Sequence, residues 1–143
     1  MLLYLKRSYR KEDLAILKRM IRKKYGRIEK IKKIMQVKKC SFPEIGEAYL
    51  FYLGIEDGMV EEEVFIEDKK VLNALTAKRF EIIEFLNKIP PLSIKDLANR
   101  LGRDYKNVYD DVSALSKFFV LNSLKTGKEI VPLGVVEHFE IRL

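Results

Sequence analysis

The stretch that most constrains the fold is Ser93 to Leu115, SIKDLANRLGRDYKNVYDDVSAL, which reads as two short helices joined by a tight turn. Ser93 is placed to cap the first helix through its hydroxyl, with Asp96 three residues on returning the bond. Ile94, Leu97, Ala98 and Leu101 then recur on one apolar face. Gly102 ends that helix, because a glycine takes the left-handed conformation that a helix C-terminus favours. Asp104 is placed to cap a second helix whose inward positions are Val108, Val112 and Leu115. Ala98 falls where the two helices cross and only a small side chain fits. With Gly102 it marks helix-turn-helix spacing.

The flanks complete the pattern. Asp68 to Leu75 reads as a short helical connector, and Thr76 caps a helix over Ala77 to Ile89. Its inner stripe is Phe80, Ile83 and Leu86, widened by Ile82 and Phe85, which predicts packing across the back of the helix pair. Pro90-Pro91 stops it and holds Ile89 extended. Downstream, Phe118 to Leu124 and Glu129 to Leu133 flank Thr126-Gly127-Lys128 as a hairpin in the position of a wing, with Phe119, Val120 and Leu121 expected over the helical core. Pro132 puts the second hairpin strand at an edge. Phe139, Ile141 and Leu143 alternate with His138, Glu140 and Arg142, a strand that needs a partner, either Val64 to Ile66 of the same chain or a second subunit.

The first seventy residues are of a different kind. The net charge of +7 conceals 15 Lys/Arg against 3 Asp/Glu over residues 1–40, 2 against 9 over residues 41–75, and 11 against 9 over residues 76–143. From Glu12 to about Met35 the apolar residues Leu14, Leu17, Ile21, Tyr25, Ile28, Ile31 and Met35 make an amphipathic helix pattern. Gly26 makes it either one helix with a weak point or two hinged there. Three readings stand for this arm: a packed helix with a solvated basic face, docked against the acidic run Glu56 to Asp68; a phosphate-contacting arm using Arg22, Lys23, Lys30 and Lys33; and a dimer seam, disfavoured by like charge. Membrane-surface binding lacks a Trp or Phe anchor on the apolar face. Residues 41–60 fit a helical stripe through Ile45, Ala48, Tyr49, Tyr52 and Ile55, although Ala48 to Leu53 also reads as a buried strand. The acidic turn that follows lacks the spacing of a calcium loop and leads into a short strand over Val64 to Ile66.

The run Leu101-Gly102-Arg103-Asp104-Tyr105-Lys106-Asn107-Val108, with Asp111-Val112, Ala114-Leu115, and upstream Leu75-Thr76-Ala77-Lys78-Arg79 and Glu81-Ile82, resembles a family of short prokaryotic, largely archaeal, winged-helix proteins described as candidate DNA-binding transcriptional regulators. The resemblance covers about the C-terminal half. It implies a winged helix-turn-helix with a recognition helix over about 104–117 in the major groove and a wing over about 119–133. The expected fold is α+β: this domain over residues 72–143, preceded by a basic helical arm and acidic loop over residues 1–71, with a small extra β-sheet.

On such a helix the N-terminal positions face base edges while flanking residues hold phosphates. The candidate DNA contacts are Tyr105, Lys106, Tyr109 and Ser113 on the helix, Arg103 and Asn107 toward phosphates, and Lys125 and Lys128 at the wing tip. Tyr105 has an alternative role, packing against the preceding helix. Asp110 opposes DNA, since the resembling family commonly carries a basic residue there, whereas Asp111 belongs to the shared pattern. Arg103 to Lys117 holds three cations and three anions, so this helix exerts no net pull on a phosphate backbone.

An enzyme is not expected. His138 is the one histidine, which excludes two-histidine zinc motifs, and no phosphate-cradling glycine loop occurs. The single Cys40 allows no intrachain disulfide and no cysteine-based zinc site; Lys38 and Lys39 beside it favour a reactive thiolate, but packing is the ordinary role of a lone cysteine. No metal or cofactor is expected. No stretch approaches the ~20 apolar residues of a spanning helix, so the expectation is a cytoplasmic, nucleoid-associated protein. The expected partners are double-stranded DNA and a second copy of the chain, without membrane. The rivals are a winged helix used for protein contacts, antitoxin-like or within the transcription machinery, and nonspecific nucleic-acid binding through the basic arm.

Overall fold

Leu2 to Ser8 alternates inward and outward, and this period of two makes it a strand at the centre of a sheet. In the computed structural model, which describes residues 1–27, 29–30 and 61–143, the order of elements is β1 (Leu2–Ser8), α1 (Lys11–Tyr25), β2 (Glu61–Ile66), α2 (Val71–Ala74), α3 (Ala77–Lys88), α4 (Ile94–Leu101), α5 (Tyr105–Lys117), β3 (Asn122–Thr126), β4 (Glu129–Leu133) and β5 (Val135–Arg142). By packing, the chain falls into two compact units, Met1–Arg10 with Glu61–Leu143, and Lys11–Val60.

In the first unit β1 pairs antiparallel with β2 on one side and with β5 on the other. The strand partner that β5 required is therefore β1, neither Val64–Ile66 nor a second subunit. Leu2–Ser8 carries little strand signal in the sequence, because only Leu3 and Leu5 mark its inner face and the third inward position is Arg7. The acidic residues Glu61, Glu62 and Glu63 were expected in a turn. They are instead the first half of β2, opposite Ser8, Arg7 and Lys6.

The core joins the inner sheet face, through Leu3, Leu5, Ile66 and Val136, to Ile82, Ile83 and Leu86 of α3, Ile94, Leu97 and Ala98 of α4, and Val108, Val112 and Leu115 of α5. These helical positions are among those the 3.6-residue period selected, although Phe80, Phe85 and Leu101 of the same set are only half-buried. Asn87 ties α3 to the sheet where β1 and β5 slip register between Lys6 and Arg7. Its amide donates to the Val136 carbonyl at 2.9 Å and accepts from the Val136 N–H at 3.2 Å, taking the place of a strand neighbour at the bulge.

Helix ends are settled by specific groups. The Thr76 hydroxyl accepts from the Arg79 N–H at 3.3 Å, and the Ser93 hydroxyl accepts from the Asp96 N–H at 3.2 Å. The return bond from Asp96 is not made, and aspartate is one methylene shorter than the Glu that usually closes this box. Asp104 has the extended backbone of a cap but its side chain makes no capping bond. Gly102, at φ +63°, lets the Arg103 N–H reach the Ala98 carbonyl at 3.0 Å and its own N–H reach Asn99 at 3.3 Å.

α5 ends in the same arrangement without a glycine. The Val120 N–H donates to the Leu115 carbonyl at 2.9 Å and the Phe119 N–H to Ser116 at 3.0 Å, with Phe119 at φ +62°. Phe119 was expected over the helical core. It is 68% exposed, because the left-handed turn directs its chain away while Val120 and Leu121 enter the core.

Arg7 holds this turn. Its guanidinium donates through Nη1 to the carbonyls of Phe119 and Val120, both at 3.0 Å, and through Nε to Glu62 Oε2 at 3.0 Å, with Nη2 in ion-pair contact with the same oxygen at 2.9 Å. The Tyr9 hydroxyl donates to the same oxygen at 2.8 Å and accepts from the Asn122 amide at 2.9 Å. Burial holds the Tyr9 phenol far above its usual pKa, so it stays a donor throughout the physiological range. Gly134, at φ +91°, lies where a Cβ would come within 2.8 Å of Arg7 Cδ, so only glycine fits beside this side chain. Arg10 does the same service for α3, donating to the carbonyls of Leu86, at 3.1 Å, and Ile89.

In the second unit, α1 has Glu12 and Asp13 in its first turn and Arg22, Lys23 and Lys24 in its last, the order that the helix dipole favours. It ends at Gly26, at φ +89°, whose N–H bonds to the Arg22 carbonyl at 2.8 Å, and Glu29 and Lys30 are helical again. Of the two readings of the arm, the interruption at Gly26 is the one observed. Lys33 and the expected helical stripe over residues 41–60 lie outside the described residues, as do Ile31, Met35 and Cys40.

Two substitutions probe the α5 terminus by urea unfolding. Arg7→Met is expected to lose about 3 kcal/mol, the low end for breaking a buried pair because Glu62 retains solvent contact. Phe119→Gly is expected to gain about 0.5–1 kcal/mol, the left-handed strain relieved less the backbone entropy of glycine.

Candidate nucleic-acid interface

α5 buries Val108, Val112 and Leu115 and leaves its remaining N-terminal side chains toward solvent. Tyr105 is 49% and Tyr109 38% exposed, and their rings stack at 6.0 Å between centroids with 28° between planes. Spacing of four residues puts the two rings one turn apart on the same side of the helix. Lys106, Asn107, Asp110 and Ser113 are exposed alongside. Tyr105 also lines a cleft with Ile94, Ala98 and Asn99 of the preceding helix, so half of its surface is covered on that side.

The other side of α5 is fixed by charge. Asp111 Oδ2 accepts from Arg103 Nη2 at 2.7 Å and Oδ1 from Arg79 Nε at 3.0 Å, and Arg79 also donates to the Ala74 carbonyl at 3.2 Å. This clamp joins α5 to the turn before it and to the start of α3. Partial burial pushes the Asp111 carboxyl up, but the hydrogen bonds from Arg103 and Arg79 outweigh it and hold its pKa below the usual carboxylate range. Arg103, a candidate phosphate contact, is thus already engaged within the chain.

The β3–β4 hairpin turns at Gly127, and Lys125 and Lys128 are exposed at its tip. Ser116 and Ser123 share a hydrogen bond of 2.7 Å that fixes the hairpin base to α5. Between α4 and β4 runs a cleft of about 530 Å³ whose lining includes Lys95, Asn99, Arg103, Tyr105 and Lys128. Tyr105 and Lys128 are therefore brought together, although 22 positions separate them in sequence. Lys95 and Asn99 were missed as site residues. Their signal was their spacing, one turn apart on the polar side of α4.

Residues 74–141 match the model of the family HVO_A0114. The match runs from the end of α2 through α3, the helical pair and the hairpin into β5, a little under half of the chain, and leaves out β1, α1 and β2. It coincides with the stretch from Leu75 onward that carried the resemblance. No curated protein and no solved structure matches the chain.

Arg22 and Lys23, in the last turn of α1, and Lys30 are exposed and belong to the second unit. Among the described residues no group of three or more His, Cys, Asp or Glu is placed to hold a metal, and no helix is long and apolar enough to cross a membrane.

The clamp makes a pH-dependent contribution of defined sign. A carboxylate whose pKa is depressed on folding contributes stability that is complete above the unfolded value of about 3.9 and is lost as pH falls through the folded one. Asp111→Asn should accordingly be less stable than the parent at pH 7, with the difference shrinking toward pH 2 in thermal melts.

Proposed function

We propose that this chain is a winged-helix protein that binds double-stranded DNA sequence-specifically and acts as a transcriptional regulator, two copies reading paired half-sites. The observation that carries the reading is the exposed N-terminal half of α5, with Lys106, Asn107, Ser113 and the stacked pair Tyr105 and Tyr109 reaching solvent beside a hairpin whose tip presents Lys125 and Lys128. In this reading α5 enters the major groove and the hairpin is the wing on the adjoining backbone. β2 and β5 are the outer strands of their sheet among the described residues, and such edges offer a second copy a place to pair.

A second reading, docking of a protein partner on the same surface, is favoured by the balanced charge of α5 and by exposed Asp110. The two differ in what supplies affinity. With Arg103 bound to Asp111, grip on a phosphate backbone falls to Lys106, the hairpin lysines and the basic arm.

Selection of bound sequences from a random duplex pool distinguishes them. The regulator reading expects one enriched motif, lost or relaxed in Lys106→Ala and Tyr109→Ala. Neutralising Arg22, Lys23, Lys30 and Lys33 is expected to weaken binding uniformly across sequences and to flatten the salt dependence. Enrichment of no motif, with only the arm changes reducing binding, identifies nonspecific binding. Absence of any duplex binding leaves the protein-docking reading.

A further inference from the structure

The side chains that α5 exposes restrict which bases it can read, and this deepens the DNA-binding reading above and rests on it. A guanine reader presents an arginine or lysine fork to O6 and N7. Arg103, the arginine beside this helix, is held at 2.7 Å by Asp111 and is only 23% exposed, so it is committed to the fold. Lys106 is the one cation on the exposed N-terminal half of α5, and Asp110 one turn on opposes acceptors in the groove.

What the helix offers in quantity is aromatic surface. Tyr105 and Tyr109 hold each other in one stacked unit, and neither hydroxyl has a hydrogen-bond partner among the described residues. The apolar group that a base pair presents in the major groove is the thymine methyl. Residues four apart lie about 6 Å apart along a helix axis, a span of roughly two base-pair steps. We propose that the stacked pair Tyr105–Tyr109 is a thymine-methyl reader, so that the half-site contacted by α5 carries two thymines within about three base pairs.

The test uses the full-length chain and the duplex enriched by selection. Thymines at the two positions are replaced singly and together by deoxyuridine, which removes the methyl and keeps every hydrogen-bonding group. Binding is read by fluorescence anisotropy at one fixed salt concentration. Each lost methyl is expected to weaken binding about fourfold, and both together about tenfold or more. Tyr105→Ala with Tyr109→Ala is expected to bind thymine and deoxyuridine duplexes equally, and because neither ring belongs to the buried core the variant's circular dichroism should match the parent. Equal binding of the two duplexes by the parent, a selected motif without thymine, or a deoxyuridine loss that persists in the double variant overturns the inference while specific DNA binding stands. Binding of no duplex at all overturns the DNA reading itself.

Discussion

The guanidinium of Arg7 is the point on which the first unit, Met1–Arg10 with Glu61–Leu143, depends. It sits at an inward position of β1, where an apolar residue would continue the face begun by Leu3 and Leu5, and it is 4% exposed. A charge so placed is tolerable only if it is hydrogen-bonded and paired: Nε and Nη1 donate to Glu62 and to two carbonyls, and Nη2 stands 2.9 Å from the Glu62 carboxylate. Through Glu62 it fixes β2, and through the carbonyls of Phe119 and Val120 it fixes the exit of α5. Glu62 in turn gathers Tyr9 and, through it, Asn122 at the base of the hairpin. One buried cation thus couples the central strand to the helix and the hairpin that form the candidate interface.

The same problem, orphan carbonyls at helix C-termini, is solved differently at neighbouring ends. α4 uses Gly102, whose left-handed backbone costs nothing sterically. α5 uses Phe119 in that conformation, against the ordinary preference for glycine, and the carbonyls that follow are taken by Arg7. α3 has an extended Ile89 imposed by the prolines after it, with its last carbonyls bound by Arg10. Two arginines three residues apart at the end of β1 therefore terminate two helices more than seventy residues away in sequence.

These ties decide what the interface can use. Arg79 and Arg103, two of the 11 cations of residues 76–143, close on Asp111 and orient α5 against α3. The surface that remains is aromatic and only weakly charged, with lysines concentrated at the hairpin tip. In the proposed regulator, shape and apolar contact on α5 would then set sequence preference, and phosphate attraction would come from groups outside it.

The sequence alone determined the helices of residues 72–143, whereas the first hairpin strand, expected over Phe118 to Leu124, is Asn122–Thr126. Apolar period picked out Ile82, Ile83, Leu86, Leu97, Val108, Val112 and Leu115, and Ser93, Thr76, Gly102 and Pro90-Pro91 marked where helices begin and end, because capping and periodicity act between residues a few positions apart. The exposed positions of α5 were legible for the same reason. Only the tertiary structure decided the role of β1, the pairing of β5 with it, the use of Glu61–Glu63 as strand, the exposure of Phe119 and the engagement of Arg103 by Asp111. Each depends on partners distant in the chain: a buried arginine reads as a surface charge until Glu62 and the Phe119 carbonyl are seen around it, and a left-handed phenylalanine carries no local signal at all.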